Sequence, residues 1–180
     1  MGFQSVRVVQ GDITQIPAQA IINAANERML SGGGVDGAIH RAAGPRLIEA
    51  CRKVKEVSPG VRCPTGESRI TPAFDLPADY VIHTVGPVWN GGLYNEEKLL
   101  SSAYRSSLML AEENGCGLIS FPCISTGGFR FPFERACNIA LDTIQEFSRN
   151  NKITEVLLVC FSVHDEEEYR RILAAHPLSD

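Results

Sequence analysis

A chain of 180 residues with 44% hydrophobic and 21% charged side chains can bury a substantial core, so one domain over 1–180 is expected. Its net charge of −4 excludes the basic stripe of a general nucleic-acid binder and leaves any anionic ligand to local amides. No apolar run reaches membrane-spanning length, and six cysteines without CxxC or zinc-ligand spacing point to reduced thiols in a cytoplasmic protein.

Val6, Val8 and Val9 mark a strand over 4–10, so no secretory leader is expected ahead of it. Val6 also stands where a myristoylation signal after Met1-Gly2 needs serine or threonine. Gly11-Asp12-Ile13-Thr14 is a turn cluster, and Pro17 separates it from an apolar strand over 20–24. Asn23 and Asn26 appear where that strand runs out, three glycines follow at 32–34, and a helix is expected over 35–43. A glycine-rich turn between strand and helix bares backbone amides that can hold an anion at the helix N-terminus. Asp36 in the first helical turn suits the helix dipole but would repel a phosphate, which suggests chemistry beside the anion. A flexible connection and an ordinary first-turn acid would read the same way. Gly32, Gly34 and Gly37 do spell G-x-G-x-x-G, but they begin nine residues after Asn23 rather than directly off the strand, so the dinucleotide fingerprint does not fit.

Pro45 breaks the helix, and a second one should run to about residue 57 with Leu47, Ile48, Cys51 and Val54 inward. Ser58-Pro59-Gly60 and Cys63-Pro64-Thr65-Gly66 punctuate a loop before strands over 67–73 and 80–85. His83 within the second of these reads as a hydrogen-bonded core histidine. A long helix over 95–114 precedes an apolar strand over 118–124, which ends in Ser125-Thr126-Gly127-Gly128-Phe129. Phe133, Cys137, Ala140, Ile144 and Phe147, spaced 4, 3, 4 and 3, form an amphipathic stripe. A strand over 155–161 and a helix over 165–174 close the pattern, with Glu166 to Glu168 as a solvated first turn. Cys123, Cys137 and Cys160 lie among apolar neighbours, as buried thiols do. His164 and His176 carry no signal. Near-continuous apolar strands alternating with helices indicate an α/β fold, a mostly parallel sheet covered on both faces.

Ligands of open α/β sheets sit outside the carboxyl ends of the strands. Two glycine loops there could hold two phosphates, with Ser125 and Thr126 adding hydroxyl donors and Phe129 lying on a sugar or base, or else packing its own loop down. Asp12 is a candidate acceptor for an exocyclic amine, or simply an Asx-turn. Phe161 is either a stacking face or core.

Together, Gly11-Asp12-Ile13-Thr14, Asn23-Ala24-Ala25-Asn26, the run from Gly32 to His40, Cys63-Pro64-Thr65-Gly66, His83-Thr84-Val85-Gly86-Pro87 and Ile124-Ser125-Thr126-Gly127 resemble the macrodomain family in order and over nearly the whole chain. The likeness is strongest to its MacroD-type branch, bacterial O-acetyl-ADP-ribose deacetylases and ADP-ribosyl hydrolases. The resemblance implies a three-layer α/β/α fold around a mixed sheet of about six strands, with ADP-ribose in the crest cleft. Asp12 and Ile13 would then hold the adenine, flanked by Phe161. Gly32, Gly33, Gly34 and Val35 would wrap the pyrophosphate with Ser125, Thr126, Gly127, Gly128 and Phe129. Asn23, Asn26 and Asp36 would face the distal ribose. His40, four residues after Asp36 and on the same helix face, could orient that acid. One position departs from the pattern, since Arg130 stands where the family usually has glycine. It either stiffens the loop or supplies a cation near the phosphates.

The expected activity is hydrolysis of an ester on the distal ribose of ADP-ribose, either O-acetyl-ADP-ribose or mono-ADP-ribose on protein carboxylates. No cofactor, metal site or Ser-His or Cys-His nucleophile is evident, so water would attack, positioned or deprotonated by Asp36. Attack at the acyl carbon and at the anomeric carbon both remain open. The rival reading is a reader module that binds ADP-ribose and does no chemistry.

Overall fold

The computed structural model describes residues 5–148 and 152–179. Its strands are β1 (Ser5–Gln10), β2 (Ala20–Ala24), β3 (Ser68–Pro72), β4 (Tyr80–Thr84), β5 (Leu118–Phe121) and β6 (Glu155–Cys160). Its helices are α1 (Gly34–Ala43), α2 (Pro45–Arg52), α3 (Glu96–Glu113), α4 (Phe133–Phe147) and α5 (Val163–Ala174). The strands form one six-stranded sheet in the order β1-β6-β5-β2-β4-β3. All neighbours are parallel except β3 and β4, which are antiparallel. The fold is therefore the expected mixed α/β/α architecture.

Period-two alternation divides the core. Ala20 and Ile22 of β2 pack with Leu100, Tyr104, Leu141, Ile144 and Tyr169, from α3, α4 and α5. Ile21 points the other way, to Ile39, Leu47 and Cys51 of α1 and α2. Both faces of the central strands are thus covered, which is why those strands are apolar without a break.

Several ends fall short of the sequence expectation, each for a local reason. Gln4, placed in the first strand, lies outside the described residues. The second helix stops at Arg52 rather than 57 because Lys53 and Val54 close three-residue turns onto Ala50 and Cys51, and a tight turn over 58–61 follows with Gly60 at φ +76. Ile48, expected inward, is only partly buried. The strand drawn to 124 ends at Phe121 because Pro122 has no amide for the ladder. The last strand ends at Cys160 and frees Phe161. The last helix begins two residues early, capped by Ser162, whose hydroxyl accepts from the Asp165 amide.

The chain passes from β2 toward β4 on one side and from β5 toward β6 on the other, so the switch in strand order lies between β2 and β5. Those two strands share only the pairs Ala20 with Ile119 and Ile21 with Ser120, and beyond them they part. Both glycine loops spring from this parting, which is where such sheets bind ligands.

Candidate functional site

At the β1 and β6 ends, the Gly11 amide bonds the Cys160 carbonyl at 2.9 Å, so Asp12 and Phe161 leave the same end of the sheet. Asp12 caps a short turn over Ile13–Gln15, its Oδ1 accepting from the Thr14 amide and hydroxyl. The Asx-turn reading of Asp12 therefore holds, and Oδ2 remains open to an amine. Ile13 is buried, in the core cluster with Ile21 and Ile39. Phe161 is 82% exposed, which decides against a core role and leaves a free aromatic face.

In the loop after β5, Ser125 sits at φ +67 with its hydroxyl buried and unpartnered among the described residues. Thr126 corrects an expectation: its hydroxyl donates to the Cys123 carbonyl at 3.0 Å, so its proton is already committed. Phe129 is partly buried and its carbonyl takes the Trp89 amide at 2.8 Å, tying this loop to the one after β4. A Cβ at Gly33, Gly127 or Gly128 would meet nothing within 4 Å. Nothing in the fold excludes a side chain at these three positions; the glycines keep space clear above bare amides, as close ligand approach requires. Gly33 also caps α1 without a side chain, leaving first-turn amides open beside Val35.

The acid lies beneath the first loop. Asp36 is 4% exposed, and its Oδ1 takes the Asn23 amide at 2.8 Å with His40 Nε2 at 3.4 Å. Asn26 braces the loop, its Oδ1 accepting from the Met29 amide and its Nδ2 donating to the Ser31 carbonyl. A Cβ on Gly32 would lie 3.2 Å from both Asn26 Nδ2 and Asp36 Oδ2, so the two groups converge under that glycine. Asn23 is the second correction. It is 0% exposed, because it shares the parity of Ile21 and faces α1, so it holds Asp36 rather than meeting a ribose. Burial raises the Asp36 carboxyl above its usual range, against the pull of Asn23 and His40. Burial lowers His40, against the pull of Asp36.

The Macro domain family profile matches residues 22–140. A Macro domain-containing protein of Xanthomonas campestris is 50% identical over 170 residues, 94% of this chain and 95% of its own.

This chain belongs to the macro domain family.

An O-acetyl-ADP-ribose deacetylase of Escherichia fergusonii is 50% identical over 169 residues, 93% of this macrodomain and 94% of that protein. The Oceanobacillus iheyensis macrodomain with ADP superposes at a TM-score of 0.89 and 44% identity, covering 94% of this chain and 90% of that one.

Two features of the macrodomain were only partly legible in its sequence. The first is a buried polar row behind Asp36, in which Asn23 Nδ2 stands 3.1 Å from His83 Nδ1, and His83 Nε2 stands 2.9 Å from Thr71 Oγ1. The sequence marked His83 as a hydrogen-bonded core histidine, which holds, but not its partners; the structure pairs it with Asn23 across β2 and β4. Full burial lowers His83 to about 3, so it stays neutral in the fold and charges on unfolding below about 6.5. A lowered native pKa gives stability that is complete above the unfolded value and lost as pH falls toward the native one. Chemical unfolding from pH 6.5 to 4.5 should therefore fall more steeply for wild type than for His83→Asn, by up to about 1.4 kcal/mol per pH unit. Equal slopes would mean that His83 carries its proton in the fold.

The second is Arg130, which is exposed and held at φ +60, the left-handed conformation that favours the usual glycine. Arginine there strains the loop. Arg130→Gly should raise stability by up to about 1 kcal/mol, read as a higher melting temperature. A lower one would show that the side chain makes a stabilising contact.

Proposed function

We propose that this macrodomain, a single domain over 1–180, is a hydrolase that binds ADP-ribose and cleaves esters on its distal ribose. Its substrates would be O-acetyl-ADP-ribose, mono-ADP-ribose on protein carboxylates, or both. One observation carries the reading: a buried carboxylate, Asp36, is pinned by Asn23 and converges with Asn26 directly under the glycine loop. A reader needs the loop amides but has no use for that acid. The named deacetylase relative supports the chemistry, and O. iheyensis structures with ADP and, for a point variant, with ADPR support the ligand.

In this reading Asp12 Oδ2 accepts the adenine amine and Phe161 stacks on the ring. The amides of 32–35 and 125–128 take the pyrophosphate. Asn26 uses its second amide proton and second lone pair on the distal ribose. Asp36 Oδ2 orients a water and takes its proton as the oxygen attacks. For attack at the acyl carbon, the acyl–oxygen bond breaks, the ribose hydroxyl regains a proton and the carboxylic acid departs. Loop amides stabilise the charge that develops. His40 is near enough to orient the acid. The six free cysteines support work in a reducing compartment, the cytoplasm.

Calorimetric titration tests the binding half. ADP-ribose should bind near micromolar, about −8 kcal/mol, and far better than NAD, whose nicotinamide would collide with a closed distal pocket. Asp12→Ala should weaken binding. Equal affinity for NAD would contradict the pocket.

A further inference from the structure

We propose that His83 is a positioning residue for Asp36, acting through Asn23. The proposal rests on the reading of Asp36 as the acid that handles water.

The geometry is a relay whose proton arrangement follows from an ionised Asp36. Asn23 Nδ2 has two protons and two acceptors in reach, Asp36 Oδ1 at 2.8 Å and His83 Nδ1 at 3.1 Å. Both contacts come from the same atom. Exchanging amide oxygen and nitrogen would set a carbonyl against the Asp36 carboxylate and lose that bond. For His83 to accept at Nδ1, its proton must sit on Nε2, where it donates to Thr71 Oγ1 at 2.9 Å. The Asp36 carboxylate, which can only accept, turns Nδ2 of the amide toward itself. The amide's second proton then asks for a bare Nδ1 on His83, and the Thr71 hydroxyl, able to donate or accept, takes the Nε2 proton that results. Oδ2 is left as the working oxygen beside Gly32 and Asn26.

A histidine that merely fills the core would not explain the amide's orientation. Asn23 Oδ1 is buried without a donor among the described residues. Such an orphan is unfavourable, and it persists because both amide protons are demanded on the other side. The remaining titratable groups around the relay are His40 from α1, Cys51 from α2, with Sγ 3.8 Å from His83 Nε2, and Cys63 before β3, with Sγ 3.9 Å from the His83 carbonyl. Burial pushes the Cys51 and Cys63 thiols up, to about 11 and about 12, so neither supplies charge near neutral pH.

The test compares His83→Phe, His83→Asn and Thr71→Val with wild type and Asp36→Asn in acetate release from O-acetyl-ADP-ribose across pH. ADP-ribose affinity is measured on the same samples. His83→Phe removes the acceptor and should lower kcat about tenfold to a hundredfold, as loss of an outer orienting partner does at other sites. Affinity should stay within about threefold. The acidic limb of the kcat profile should move to higher pH, because Asp36 loses a firmly held donor that keeps it ionised. His83→Asn places an oxygen where Nδ1 was and should restore most of the rate and the limb. Thr71→Val is nearly isosteric, keeps the fold testable if the phenylalanine variant does not fold, and should shift the limb the same way by less. An unmoved limb in Thr71→Val, or in a folded His83→Phe that has only lost melting temperature, overturns the proposal. A dead Asp36→Asn beside a fully active His83→Phe overturns it alone. A fully active Asp36→Asn overturns the reading of Asp36 as the acid that handles water, and the proposal with it.

Discussion

Asp36→Asn is expected to lower ester hydrolysis by about 10²- to 10⁴-fold, the usual share of general acid–base catalysis, while ADP-ribose affinity changes by less than about threefold. Asparagine keeps the size of the side chain and an oxygen for Asn23, so the loop above should hold its shape. What it lacks is a base for the attacking water, an interaction made in the transition state rather than in the bound ground state. The same change should raise the melting temperature at pH 7. Burial raises the Asp36 carboxyl above its ordinary value of 3.8, so the fold binds that proton more tightly than the unfolded chain does. The ionised acid therefore destabilises the fold at every pH above its native pKa and has no such effect below the unfolded value. The gain from asparagine should shrink as pH falls toward 3.8. Melting curves at several pH values beside kcat and Kd check all three statements. A stabilised, inactive, ligand-binding variant is the expected signature of an acid kept for chemistry.

Gly86→Ala should have the largest effect on binding. A Cβ there would lie 2.2 Å from Ser125 Oγ and 2.6 Å from Ile124 Cγ2, so the loop after β5 must move. It has little freedom to do so. Ser125 is 7% exposed at φ +67, and its carbonyl takes the Phe131 amide at 2.9 Å. Overpacking of this kind costs about 1–3 kcal/mol. Falling on the phosphate loop, it should raise the ADP-ribose Kd about tenfold to a hundredfold and lower the melting temperature. Adding Ser125→Gly removes the clashing hydroxymethyl and relaxes the left-handed backbone, so affinity should partly return. An alanine variant that binds as well as wild type would show that loop placement does not control affinity.

What the sequence displayed was whatever depends on local periodicity. The 4, 3, 4, 3 stripe of α4 gave its bounds, Phe133–Phe147, and the apolar run of β2 gave Ala20–Ala24. Where a single residue ends an element, periodicity overran it, as at Pro122 and at the turn after Arg52. The family motifs located both loops, but not which polar atoms were already spoken for. Thr126 bonds its own turn, which a serine- or threonine-bearing loop always allows. Asn23 was misjudged although its parity with Ile21 already placed it under α1. That His83 stands beside it depends on β2 pairing with β4, a tertiary choice with no local signal.

The central claim is that this macrodomain consumes its ligand rather than only holding it. Purified protein should be mixed with O-acetyl-ADP-ribose, and acetate and ADP-ribose quantified over time against buffer and against Asp36→Asn. The account predicts equal amounts of acetate and ADP-ribose from wild type, at a rate the variant loses by about a hundredfold or more. Tight ADP-ribose binding by wild type with no acetate above the buffer background would contradict it and leave a reader.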